Sequence, residues 1–135
     1  MYQSKSNLVT PEKLASSGTE HGEQAALFCW AATKFQLYPQ LRNLFAIPNG
    51  GWRDPVVANK LKAEGVRAGV PDVFLAVPSG GYHGLFIEMK TSKGRISDSQ
   101  VAWFNKLESV GYRCVLCWSW QDAVTAIEEY FKLNG

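Results

Sequence analysis

The sequence predicts an α/β domain, a mixed β-sheet flanked by helices in the order α-β-α-β-β-α-β-α. Three observations carry this. The apolar runs "DVFLAV" and "GLFIEMK" are joined by "PSGGYHG", the signal of an antiparallel hairpin with a long Gly-rich connection. A helical stretch then separates "GLFIEMK" from a further apolar run, "YRCVLCW", and a strand-helix-strand unit of this kind makes a parallel pair with a right-handed crossover. The two units share a strand, so the sheet is mixed, with helices left to cover both faces.

The elements follow in order. Residues 1–18, rich in Ser, Thr, Lys and Gly, read as a flexible arm with one helical turn at "TPEK", where Thr10 caps and Pro11 takes the first helical position. Residues 19–135 form the domain. From Thr19 the run "TEHGEQAALFCWAATKFQ" predicts a largely buried helix, with Leu27, Trp30, Ala31 and Lys34 on one face. "YPQL" breaks it, "LFAI" is a short strand, and "PNGG" stops that strand with turn chemistry. Asp54-Pro55 opens a helix that Gly65 closes. After the hairpin and the polar "TSKGRIS", Ser97 caps a helix that ends at Gly111. The terminal helix "SWQDAVTAIEEYFKL" is amphipathic, with Ala123, Ile127 and Tyr130 or Phe131 inward.

Composition bounds the function. With 46% hydrophobic and 13% aromatic residues the chain can bury a core and is not a disordered segment. A net charge of +2 means that any nucleic-acid surface must be local. No apolar run approaches the roughly 18 residues of a membrane span, and the N-terminus lacks the apolar block of a signal peptide. The expected setting is reducing and cytoplasmic, without a membrane. Cys114 and Cys117 form a C-x-x-C, but on a strand such residues point to opposite faces. Cys29, Cys114 and Cys117 are therefore read as core residues rather than zinc ligands.

The chemistry gathers at the hairpin. On "LFIEMK", Phe86, Glu88 and Lys90 share one face, and on the preceding strand Asp72 lies with Phe74 and Ala76. The start of one hairpin strand lies beside the end of the next, so Asp72 falls next to Glu88 and Lys90. Two carboxylates brought together repel unless a cation joins them. Mg²⁺ or Mn²⁺ suits such oxygen donors, with the Met89 carbonyl as a further ligand. Lys90 would orient an attacking water or offset negative charge in a transition state. A structural ion pair at the sheet edge is the plain alternative.

These residues carry a resemblance. Pro71-Asp72 followed by Glu88-Met89-Lys90 resembles the PD-(D/E)xK nuclease motif. More narrowly, "EHGEQAALFCWA", "FAIPNGGWR", "LKAEGVRAGVPDVFL", "GGYHGLFIEMK" and "SDSQVAWFNKLESVGYRCVLCWSWQDAVTAIEEY" resemble, in that order, the small stand-alone VRR-NUC domain proteins of bacteria and their phages. The Val-Arg-Arg that names the family reads Val66-Arg67-Ala68 here. The resemblance implies a restriction-endonuclease-like fold in a bacterial cell or on a phage genome. It also implies metal-dependent hydrolysis of DNA phosphodiesters to 5′-phosphate and 3′-hydroxyl ends. It places Asp72 and Glu88 on the metal and makes Lys90 the catalytic lysine. Glu20 matches the family's N-terminal acidic residue, with reach to the metal's water shell; Glu23, one turn on, is the alternative. Gln24 shares the Glu20 face and is expected to orient it. Gln100 matches a family glutamine, and on its helix it faces inward with Phe104 and Leu107, so it needs a partner such as Glu88 or Lys90.

DNA contacts are expected from Asn49, Gly50 and Arg53 in "PNGGWR", where glycine permits close approach and arginine forks onto phosphate. Lys93 and Arg95 continue a basic track, as does Arg67; a solvated loop is the alternative for each. The resemblance favours branched DNA, four-way junctions above all, cut by a homodimer. The competing readings are a sequence-specific restriction-type endonuclease and a DNA-binding module with a vestigial site.

Overall fold

The computed structural model of the protein describes residues 8–48 and 54–133. Helices α1 (Pro11–Ala15), α2 (Glu20–Thr33), α3 (Pro55–Ala63), α4 (Asp98–Ser109) and α5 (Trp120–Leu133) surround strands β1 (Leu44–Ala46), β2 (Val73–Leu75), β3 (Leu85–Met89) and β4 (Arg113–Cys117). From α2 onward the order is the one the sequence predicts. A 3-10 turn over Pro39–Asn43 stands where "YPQL" breaks the first long helix.

Capping side chains set most helix starts. Thr10 Oγ1 accepts the Lys13 N–H at 3.2 Å, Thr19 Oγ1 that of Gly22 at 3.0 Å, and Asp54 Oδ1 that of Val56 at 2.9 Å. Each satisfies one backbone donor that the first helical turn leaves without an intrahelical partner.

The sheet runs β1-β2-β3-β4, antiparallel across the first two pairs and parallel between β3 and β4. Strand β3 is central and buried along its whole length. Leu85, Ile87 and Met89 face a core built with Leu27, Trp30 and Ala31 of α2 and Ala123, Ile127 and Tyr130 of α5. Full burial of each such aliphatic side chain contributes about 1.5–3 kcal/mol. Phe74, Phe86 and Tyr112 stack on the opposite face. There Cys114, paired in register with Phe86, meets α4 through Phe104. Helices thus flank both faces, as expected.

The long hairpin connection is pinned to α5. Tyr130 Oη donates to the Val77 carbonyl and Ser79 Oγ to the Tyr130 carbonyl, both at 2.6 Å. Cys114 and Cys117 are buried on opposite faces, and burial pushes both thiols up to about 12, which keeps them protonated and inert. Cys29 departs from expectation: it is only half-buried, because its side of α2 faces the segment ahead of α1, where Sγ lies 3.8 Å from the Val9 carbonyl. Among the described residues no helix is long and apolar enough to cross a membrane.

Candidate functional site

The site forms where β2 begins and β3 ends. Phe74 pairs with Phe86 and Val73 with Ile87; the same register, carried one residue further, sets Asp72 opposite Glu88 on one face. Asp72 Oδ2 accepts the Met89 N–H at 2.9 Å, which fixes the carboxylate at the strand edge. Glu88 is 1% exposed and Lys90 8%, unusual burial for charged residues that are not tightly paired. The Lys90 N–H is held by the Cys117 carbonyl at 2.8 Å, so β4 fixes the backbone at this point. Its ammonium stands 3.8 Å from Glu88 Oε2, an ion pair too long for a hydrogen bond.

The electrostatics of the pair are strained. Burial first, and then the charge of Asp72, push the Glu88 carboxyl from 4.5 up to about 8; hydrogen bonding with Asp72 acts in the same direction, Lys90 opposes it, and Glu20 adds to it. Glu88 Oε1 is buried without a hydrogen-bond partner. These are two states of one arrangement. With a proton between them the carboxyls bond to each other; ionised, they leave a desolvated oxygen with no donor. A cation removes the conflict, because it lets both groups ionise. The donor set therefore fits a hard divalent ion. Among the described residues no three His, Cys, Asp or Glu side chains group as a metal cage.

Gln100 serves two structures at once. Its Oε1 accepts the Ser97 N–H at 2.9 Å, and its own N–H is accepted by Ser97 Oγ at 3.2 Å, a reciprocal capping box. Because Oε1 faces Ser97, Nε2 is turned the other way, and it donates to Glu88 Oε2 at 3.0 Å. The start of α4 thereby orients the Glu88 carboxylate. The S-x-x-Q spacing of Ser97 and Gln100 is the sequence signal for that box.

Glu20 comes to the same place from α2. A Cβ built on Gly94 would lie 3.2 Å from Glu20 Oε2 and 3.2 Å from Lys90 Cδ, so the loop after β3 threads between the two side chains. A side chain at this position would press both neighbours back by a few tenths of an ångström, and nothing in the sequence around Gly94 announces it. Glu23 points elsewhere: its Oε1 accepts the Trp120 N–H at 2.8 Å, at the start of α5. Gln24 makes no hydrogen bond to Glu20. It lines a shallow, mostly apolar depression of about 240 Å³ with His21, Ala25, Phe28 and Ala46.

Lys93 and Arg95 are exposed on the loop between β3 and α4, on either side of Gly94. Arg67 folds back on α3, donating to the Lys62 carbonyl at 3.0 Å. Asn49, Gly50 and Arg53 lie outside the described residues.

Comparison with known proteins agrees with this fold. The model of the VRR-NUC domain matches residues 12–120. A solved structure described as a VRR_NUC domain protein superposes with a TM-score of 0.73 at 28% identity, over 86% of this chain and 90% of the other. No curated protein matches at a significant level.

Proposed function

The chain belongs to the VRR-NUC domain family and has its nuclease-type fold, and from that premise we propose that it is a Mg²⁺- or Mn²⁺-dependent DNA endonuclease. The observation that carries the reading is the meeting of Asp72 and Glu88, with Glu88 Oε1 buried and undonated beside a buried lysine. A structural ion pair would not need this. Lys90 stands 3.8 Å from Glu88, outside hydrogen-bond reach, and leaves that oxygen bare.

Asp72, Glu88 and the carbonyl of Met89 would hold the ion, with Glu20 reaching its water shell. When bound, the ion supplies Lewis acidity that activates water and offsets charge on the phosphate. The rest is work for the chain. Lys90 orients the attacking water and balances the charge that builds on the equatorial oxygens. Gln100 holds Glu88 Oε2 at 3.0 Å and so fixes the carboxylate that would bind the ion. Water adds to phosphorus in line and loses a proton to solvent, the bond from phosphorus to the 3′ oxygen breaks, and that oxygen takes a proton from solvent. The products are a 5′-phosphate and a 3′-hydroxyl. Lys93 and Arg95 supply local positive charge for the backbone on a chain whose net charge is only +2. Asn49, Gly50, Arg53 and Arg67 are further proposed contacts to the DNA backbone.

Branched DNA is the proposed substrate and a homodimer the proposed assembly. The test is cleavage with and without Mg²⁺ or Mn²⁺. Asp72→Asn, of equal volume and without charge, is expected to lower the rate by at least about a hundredfold while junction binding persists. A wild type that binds DNA but cuts it under neither ion would leave a binding module.

A further inference from the structure

Helix α2 carries its acidic residues in the first turn, Glu20 and Glu23, and the two have different surroundings. Glu20 lies by Lys90 and Gly94, while Glu23 bonds the backbone of a residue 97 positions away. That bond closes a mechanical circuit. The Lys90 N–H is tied to the Cys117 carbonyl. Three residues on, the Trp120 N–H is tied to Glu23. Glu23 is one helical turn from Glu20, and Glu20 returns to Lys90 across Gly94. We infer that Glu23 is a positioning residue: by capping α5 from α2 it sets the height and rotation at which Glu20 meets the Asp72–Glu88–Lys90 cluster.

The buried residues of α2, Ala26, Leu27, Trp30 and Ala31, begin two turns after Glu20. They anchor the helix body to the sheet, whereas Glu20 sits at its first residue. The α5 start has its own local cap: Ser119 Oγ accepts the Asp122 N–H at 3.1 Å and Asp122 Oδ2 accepts that of Trp118 at 3.0 Å. The Trp120 N–H is one of the donors this local cap leaves over. A carboxylate from another helix takes it at 2.8 Å, where the dipole of α5 favours negative charge. Local capping chemistry does not require a partner from so far along the chain, whereas registering α2 on the β3–β4 edge does.

This inference rests on the nuclease reading and is tested beside it. Wild type, Glu23→Ala, Glu23→Gln and Glu23→Asp are compared on one junction substrate below their melting temperatures, each also in a Glu20→Gln background. Glu23→Ala is expected to lower kcat by roughly ten- to a hundredfold with KM nearly unchanged, the scale of a misplaced group. Glu23→Gln keeps the acceptor and restores most of the rate; Glu23→Asp, shorter by one methylene, falls between. In the Glu20→Gln background the Glu23 changes have little further effect, because a residue that acts through another is not additive with it. Exchange of the Trp120 amide with solvent reports the bond itself and rises in Glu23→Ala alone. Additive losses, or a Glu23→Ala enzyme with full kcat, would overturn the inference while the nuclease reading stands. Should Glu23→Ala not fold, Glu23→Asp with wild-type kcat overturns it equally. A wild type that cuts no DNA removes both.

Discussion

At the scale of single residues, the site is defined by a carboxylate that the fold makes hard to ionise. Glu88 keeps its proton to about pH 8 in the folded chain and releases it near 4.5 when unfolded. Between those values the folded state binds more protons than the unfolded state, so stability falls as pH rises through the window. The melting temperature of metal-free protein is therefore expected to decline from about pH 5 to about pH 8. Glu88→Gln, which keeps the shape and needs no proton, should flatten that decline and raise the melting temperature at the upper end. A divalent ion favours the ionised pair, so its stabilising effect should grow over the same range. Uptake near neutral pH should also release about one proton, measured by titration calorimetry in buffers of different ionisation enthalpy. A stability profile that is level from about pH 5 to 8 would show that Glu88 is already ionised without a cation.

At the scale of elements, local chemistry places each part of the site, and the sequence discloses those parts unequally. Period-two alternation put Glu88 and Lys90 on one face of β3, and hairpin geometry brought Asp72 to them; both rest on neighbouring segments. Gln100 was legible through its helix face. Its second bond, from the Ser97 N–H, went unexpected, although the S-x-x-Q spacing carries its signal. What the sequence hid is what depends on packing between distant elements. The contact of Glu23 with Trp120 spans 97 positions, and the room at Gly94 exists only once α2 has docked. Cys29 follows the same logic, since its half-burial is set by the segment ahead of α1. Turn chemistry lies at the legible end. Gly111 follows α4 with φ +99°, and a Cβ there would meet the His83 ring at 2.6 Å. Gly111→Ala strains the backbone and displaces that ring, so it is expected to cost about 1–3 kcal/mol, read by urea unfolding. The residues proposed to touch DNA are untouched by it, so the rate per folded molecule should hold; a fall in that rate would tie the α4–β4 turn to the site.

At the scale of the whole molecule, a single proposed cluster of Asp72, Glu88 and Lys90 would cut one strand, so symmetric cleavage of a four-way junction would call for two clusters facing opposite strands. The proposed two-fold dimer would supply them. The surface leaves apolar side chains for such a contact: Val56 is 75% exposed and Phe45 48%. Each chain is 15.0 kDa, so sedimentation should show a species of about twice that mass. Subunit mixing then separates a dimer that cuts as a unit from two monomers acting alone. Wild type mixed with Asp72→Asn should yield junctions nicked on one strand in proportion to the mixed dimer, whereas wild type alone cuts both strands within one binding event. Phosphate contacts from two subunits also sum, so the loss of junction affinity with salt should be steeper than for a single chain on duplex. A 15.0 kDa species that cuts linear duplex as readily as a junction would place selectivity outside this fold's symmetry and leave Lys93, Arg95 and the "PNGGWR" segment to supply whatever discrimination the enzyme has.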